Sequence, residues 1–273
     1  MWGVIPAAGI GSRIQPLAFS KELLPVGSRI DRGAERPRAV SEYLIERMIA
    51  GGATKLCLVI SQGKSDILEY YASGIAGVDI VYVVQPKPSG LCDAVFRALP
   101  VIPPDEPVIV GLPDTIWFPE AGLALLPNDS LCFLLFPVSR PDLFDVVVTE
   151  EEGTAVKEIL VKNPNPPSQW IWGAFKMPGT IFHQLHALWR EPGRGDEYFG
   201  TLVNAFLARG GKAIASRAGQ AYVDVGTLHG YREALRLLSN PPMQNPAGES
   251  AGNLIAPSEN NRTEEPDHAV VSL

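Results

Sequence analysis

VIPAAGIGSRIQPLAFSKELLPVG occupies residues 4–27. The segment WGVIPAA, residues 2–8, has the length and composition of a buried strand. It runs into a turn of small residues, Ala7-Ala8-Gly9-Ile10-Gly11, followed by Ser12 and Arg13, with Lys21 further on. Small residues let the backbone approach a ligand closely, and successive N–H groups in such a turn can cradle phosphate oxygens. Arg13 offers phosphate a planar fork and Lys21 a point charge. A plain strand-to-helix turn with two surface cations would use the same residues. Two other glycine signatures do not fit. A dinucleotide fingerprint needs a small residue where Ile14 stands, and no Gly-Lys-Ser/Thr follows at phosphate-loop spacing.

Outward from this turn, short apolar runs alternate with amphipathic segments. SEYLIERMIAGG (41–52) carries Leu44, Ile45, Met48 and Ile49 at helical spacing, with Ser41 placed as N-cap and Gly51 as stop. Strands are expected over 55–61, 78–85 and 107–114, and helices over 65–71 and 91–99. This alternation predicts a parallel sheet covered by helices on both faces. The second half differs. LCFLLFPV, DVVVTEEEGTAVKEILV and WIWGAFKM read as consecutive strands, with EEEG as a hairpin turn. Helices follow over 179–191 and 197–210, then KAIASRA, AYVDVG and a last helix, GYREALRLL. The class is mixed α/β, with no linker between the halves. Residues 28–38, SRIDRGAERPR, read as a basic loop. Residues 241–273 hold five prolines, one basic and five acidic residues. Too little apolar surface is present there to offset the entropy of ordering, so a disordered acidic tail is expected.

Composition narrows the function. Among 273 residues, 23 Lys and Arg stand against 30 Asp and Glu, a formal charge of −7. That argues against nucleic acid or an anionic membrane as partner, while a few local cations suffice for a phosphorylated small molecule. No apolar run approaches the roughly 20 residues needed to cross a bilayer. The start, MWGVIPAAG, has no basic segment ahead of its apolar stretch, unlike a secretory signal. Cys57, Cys92 and Cys132 are widely spaced and odd in number, which suits a reducing cytoplasm and neither a disulfide framework nor a zinc site. His183 and His186, three apart on a helix without acidic or Cys neighbours, are read as a solvated face. Trp170 and Trp172 are read as packing residues.

Further motifs accompany the turn in a fixed order: QPKPSGLCDAV (85–95), GLPDTIW (111–117), VKNP (161–164) and VDVGTLHGYREAL (223–235). With PAAGIGSR…SKELLPVG, this series resembles the sugar-1-phosphate nucleotidylyltransferases, the family of glucose-1-phosphate thymidylyltransferase and UTP–glucose-1-phosphate uridylyltransferase. The resemblance covers about residues 2–236. It implies a Rossmann-like mixed, mostly parallel sheet with helices on both faces. It also implies one catalytic domain over 1–240, its nucleotide-binding half about 1–118 and its sugar-phosphate half about 119–240.

By the same resemblance, Ala8, Gly9, Gly11 and Ser12 contact the nucleotide through the backbone. Arg13 and Lys21 hold its phosphates and the departing pyrophosphate, and Gln85 and Gly90 read the base edge. Asp114 and Asp224 chelate Mg2+, an ion typically held by one or two carboxylates plus substrate phosphates. Lys162 contacts the sugar phosphate, with Gly173, Asp145 and, more weakly, Arg194 beside it. The implied reaction is in-line attack of a sugar 1-phosphate on an NTP, dTTP or UTP, with release of pyrophosphate. Cations and Mg2+ offset the repulsion between the two phosphate esters. A homo-oligomer is left open. This chain departs from the family pattern in four places. The Arg13–Lys21 spacing is shorter and the 28–38 segment longer. Phe144-Asp145 replaces Tyr-Gly, and Val161 replaces a Glu ahead of Lys162. The last two bear on which sugar is taken. A non-catalytic nucleotide-sugar-binding protein of the same fold is the alternative. An NAD-dependent oxidoreductase is disfavoured by Ile14.

Overall fold

The computed structural model describes residues 1–72, 74–150 and 153–242. The 243–273 part of the expected tail, and the Glu151–Glu152 part of the expected EEEG turn, lie outside the described residues. In chain order, the first half contains β1 (Trp2–Pro6), β2 (Pro25–Asp31), β3 (Ala34–Ala39), α1 (Val40–Ala50), β4 (Lys55–Ile60) and α2 (Ser65–Tyr71). It continues with β5 (Gly74–Ile75), β6 (Val78–Val84), α3 (Gly90–Phe96), β7 (Val108–Gly111) and β8 (Thr115–Phe118). The second half adds β9 (Leu131–Pro137), β10 (Val146–Thr149), β11 (Val156–Leu160), β12 (Trp170–Met177) and α4 (Gly179–Trp189). It closes with α5 (Phe199–Ala208), β13 (Ala213–Ser216), β14 (Ala221–Asp224) and α6 (Leu228–Ser239).

Ten strands form one mixed sheet, in which β11-β10-β12-β7-β1-β4-β6-β5 are neighbours in that order, β9 pairs with β12, and β13 with β9. The centre, β7-β1-β4-β6, is parallel. Strands of the second half extend it antiparallel from β12 onwards, except that β13 runs parallel to β9. Central strands buried on both faces need apolar side chains at successive positions. In β4 these alternate: Cys57 and Val59 pack with α3, α4 and α5 on one face. Leu56, Leu58 and Ile60 pack with α1 and α2 on the other. A third apolar cluster joins Val26, Tyr43, Ile116, Phe118, Val225 and Ala234, so that α6 and β2 close over α1 and β8.

Three expectations need correction. Residues 28–38 are not a loop. β2 and β3 pair antiparallel through a two-residue turn, Arg32-Gly33, whose φ angles of 50° and 80° match the twist of a hairpin. The pairing is invisible to an apolar period because both faces of the ribbon are largely polar and exposed. Ser41 is not the N-cap of α1. The helix begins at Val40 after Ala39, and buried Ser41 donates to the Glu22 carbonyl at 2.6 Å. His183 and His186 are half-buried, not solvated: the His183 Nε2 lies 2.8 Å from the Ile102 carbonyl, and His186 packs edge-on to Phe96.

Candidate active site

Open α/β sheets bind ligands beyond the carboxyl ends of their parallel strands. Here the turn after β1, Gln85 after β6 and Asp114 after β7 all leave the sheet at that edge. Asp224 arrives by a different route. β8 and β14 form a separate two-stranded antiparallel sheet in which Asp224 pairs with Thr115, and the Val225 N–H donates to the Asp114 carbonyl at 2.8 Å. Two aspartates far apart in sequence are therefore set side by side by backbone pairing. An ideal Cβ on Gly226 would lie 2.8 Å from the Asp224 Oδ1, 3.2 Å from an Arg13 guanidinium nitrogen and 3.3 Å from the Asp114 Oδ2. Glycine keeps that junction open.

Each carboxylate carries a cation. The Lys21 ammonium donates to Asp114, and the Arg13 guanidinium to Asp224 at 3.0 Å. Burial acts to lower the Lys21 pKa, but the carboxylates of Asp114, Glu22 and Asp224 outweigh it and the net shift is upward. Burial acts to raise Asp114, and Lys21, with Arg13 further off, outweighs it, so Asp114 titrates below its ordinary range. Both groups are thus charged at neutral pH. Gly11 adopts φ +69°, and a Cβ there would lie 2.6 Å from the Lys21 Cδ; the turn and the lysine fit only without a side chain at position 11. Among the described residues, none of the backbone N–H groups from Ala8 to Arg13 donates to a protein acceptor. A run of amides without partners beside a lysine and an arginine is suited to an anion.

Two further groups adjoin this centre. On one flank, Gln85 is buried and its amide nitrogen donates to Asp93 at 2.8 Å and to the Gly90 carbonyl at 3.2 Å. Arg97 in turn forks onto Asp93. On the other flank stand Asp145, Lys162, Gly173 and Tyr222. Burial raises the Tyr222 pKa well above its ordinary value, assisted by Asp224, Asp114 and Asp145 around it. Burial also raises Asp145 despite the nearby Lys162. Tyr222 packs against Phe144 and closes over Gly173, where a Cβ would lie 2.6 Å from its ring. Lys162 is exposed at φ +46° and donates to the Tyr198 hydroxyl at 3.0 Å. The Glu197 carbonyl accepts from Leu91 at 2.9 Å, so one segment touches both flanks.

The structure therefore unites Arg13, Lys21, Asp114 and Asp224, and sets Gln85 with Gly90 on one side and Asp145, Lys162 and Gly173 on the other. The Arg194 guanidinium is engaged with Asp196 at 2.7 Å. Tyr222 and Gly226 went unread in the sequence although both lie in or beside the stretch 223–235. For Tyr222 the signal was the strand parity that puts it on one face with Asp224. The site fits a divalent ion: two carboxylates face one open point, and phosphate oxygens can complete the oxygen shell that Mg2+ prefers.

A glycine turn of unpartnered amides, two cations and two carboxylates meet on a mixed α/β sheet, an arrangement suited to phosphate groups. The chain belongs to the nucleotidyl transferase family, whose model matches residues 2–240, and is a nucleotidyltransferase. Its relatives include the UTP–glucose-1-phosphate uridylyltransferase AglF of Haloferax volcanii, 27% identical over 252 residues, 89% of this chain and 99% of that one. A UTP–glucose-1-phosphate uridylyltransferase of Bacillus subtilis is 30% identical over 71% of this chain and 75% of its own length. A glucose-1-phosphate thymidylyltransferase of Mycolicibacterium smegmatis is 27% identical over 86% of this chain and 81% of its own. The fold is shared with the crystal structure of a putative glucose-1-phosphate thymidylyltransferase from Bacillus anthracis, at a TM-score of 0.74 and 22% identity, covering 90% of this chain and 98% of that one. No helix among the described residues is long and apolar enough to cross a membrane.

Proposed function

We propose that the protein joins a pyrimidine nucleoside triphosphate, UTP or dTTP, to a hexose 1-phosphate, giving a nucleoside diphosphate sugar and pyrophosphate. The observation that carries this reading is the meeting of Arg13, Lys21, Asp114 and Asp224 at the open junction beside Gly226. An oxygen of the sugar phosphate attacks the α-phosphorus; the bond from that phosphorus to the bridging oxygen breaks, and its electron pair leaves with pyrophosphate. The attacking oxygen is already an anion, so no general base is needed. Amides of residues 8–12 hold the triphosphate. Arg13 and Lys21 trade part of their contact with the aspartates for the phosphates and stabilise charge as it moves to the leaving group. Lys162 holds the sugar phosphate in line. Asp114 and Asp224 would hold Mg2+, which supplies further charge neutralisation when bound.

The Gln85 amide nitrogen is committed to Asp93 and Gly90, which leaves its carbonyl oxygen to accept from a base N–H, as uracil and thymine provide at N3. The buried, unpaired thiols of Cys57, Cys92 and Cys132, pushed by burial up to about 12, 12 and 11, suit a reducing cytoplasm. The test is a matrix of nucleoside triphosphates against several sugar 1-phosphates with Mg2+, read by pyrophosphate release. Release with UTP or dTTP is expected; silence across the whole matrix rejects the reading.

A further inference from the structure

Behind the glycine turn the chain buries a lysine that the transfer chemistry does not use. Lys64, just ahead of α2, is 7% exposed. Its ammonium donates to both carboxylate oxygens of Glu22 and to the Ala7 carbonyl, each at 2.7 Å. Ala7 is fixed on its other side too, its N–H donating to the Val59 carbonyl at 2.8 Å. A trans peptide is planar, with its C=O and N–H pointing in opposite directions. An Ala7 carbonyl pinned to Lys64 therefore sends the N–H of Ala8 away from Lys64. That N–H donates to no acceptor among the described residues, although Ala8 is only 4% exposed. A buried amide without an acceptor is costly unless something at the site takes it.

We propose that Lys64 is a positioning residue: by holding the Ala7 carbonyl it sets the Ala7–Ala8 peptide so that the Ala8 amide serves as a donor to a nucleotide phosphate, while Glu22 balances its charge. This rests on the reading that the turn holds the triphosphate. Burial lowers the Lys64 pKa and raises that of Glu22, in both cases outweighing the partner. Such a dry ion pair can often be exchanged for apolar residues without loss of stability. Charge balance and peptide orientation can therefore be separated.

The experiment compares wild type, Lys64→Met, Glu22→Gln and the double variant Lys64→Met/Glu22→Leu. Thermal melts, calorimetric titration with Mg–UTP, and kcat and KM for each substrate are measured. The double variant should melt near wild type yet bind UTP about 10- to 100-fold more weakly, what one hydrogen bond to a charged group is worth. Its KM for sugar 1-phosphate should not move. Glu22→Gln leaves Lys64 on Ala7 and should keep UTP affinity. Should the double variant not fold, Lys64→Gln, which retains an amide donor for Ala7, must bind UTP more tightly than Lys64→Met. A folded double variant that binds UTP and turns over like wild type overturns the proposal, as does equal weakening in the Gln and Met variants. A wild type that binds no nucleotide sinks the reading of the turn instead. A crystal structure of the variant then decides the role of Lys64, since an Ala7–Ala8 peptide left unturned without the lysine refutes it.

Discussion

Gly11→Ala tests the link between the turn and its lysine. Position 11 sits at φ +69°, where a non-glycine residue costs about 1–2 kcal/mol. The new Cβ would lie 2.6 Å from the Lys21 Cδ, closer than real contacts allow, and a tight 3.3 Å from its Cγ and Cε, so the lysine stem must swing away. The ammonium is then drawn off Asp114 and off the phosphates. The backbone term alone lowers Tm by roughly 2–8 °C for a folded unit of this size. Misplacing one preorganised cation in a dry site lowers turnover by about 100- to 1,000-fold. The assay is pyrophosphate release in a double-mutant cycle with Lys21→Ala. Because Gly11→Ala acts through Lys21, the double variant should be hardly worse than Lys21→Ala alone. Full additivity, or a lowered Tm with wild-type kcat/KM, refutes the coupling.

Three other outcomes follow from the same geometry. Asp114→Asn and Asp224→Asn should each reduce turnover about 100-fold or more and raise the Mg2+ concentration needed for half-maximal rate, read by metal titration. Lys21 holds Asp114 below its ordinary pKa, so that pair's stabilisation is present above pH 3.8 and lost as pH falls below it. In Lys21→Met burial acts on Asp114 without the ammonium, and Tm measured across acid pH should show that loss shrunken or reversed. Asp93→Ala frees the Gln85 amide to rotate, and preference for UTP or dTTP over CTP, read as a ratio of kcat/KM values, should fall about tenfold, the worth of one oriented hydrogen bond.

The central strands and the turn were legible because apolar runs bounded by small residues leave few other readings. Asp114 and Asp224 were legible because each ends an apolar strand inside an ordered series of motifs. What brings them together was not. TIWF and AYVD are four-residue strands whose pairing is a long-range fact, and no local period announces it. The β2–β3 ribbon escaped for the opposite reason: its polar faces carry no apolar alternation. The pairing of Arg194 with Asp196, only two residues on, was not legible, because sequence alone does not show which of several charges will pair. The Lys64–Glu22 pair went unread, since burial of an ion pair leaves no mark on composition.

The short β8–β14 sheet has a consequence for the order in which the protein comes into being. The glycine turn, Arg13, Lys21 and Asp114 all lie in the first 114 residues, whereas Asp224 arrives with the last strand before α6. A chain emerging from the ribosome can therefore set down its parallel strands and shape the glycine turn well before it owns a second carboxylate. Contacts so distant in sequence form late, because closing a long loop is entropically demanding. A copy that stops short of β14 has the turn and Asp114 but no partner for β8 and no second carboxylate.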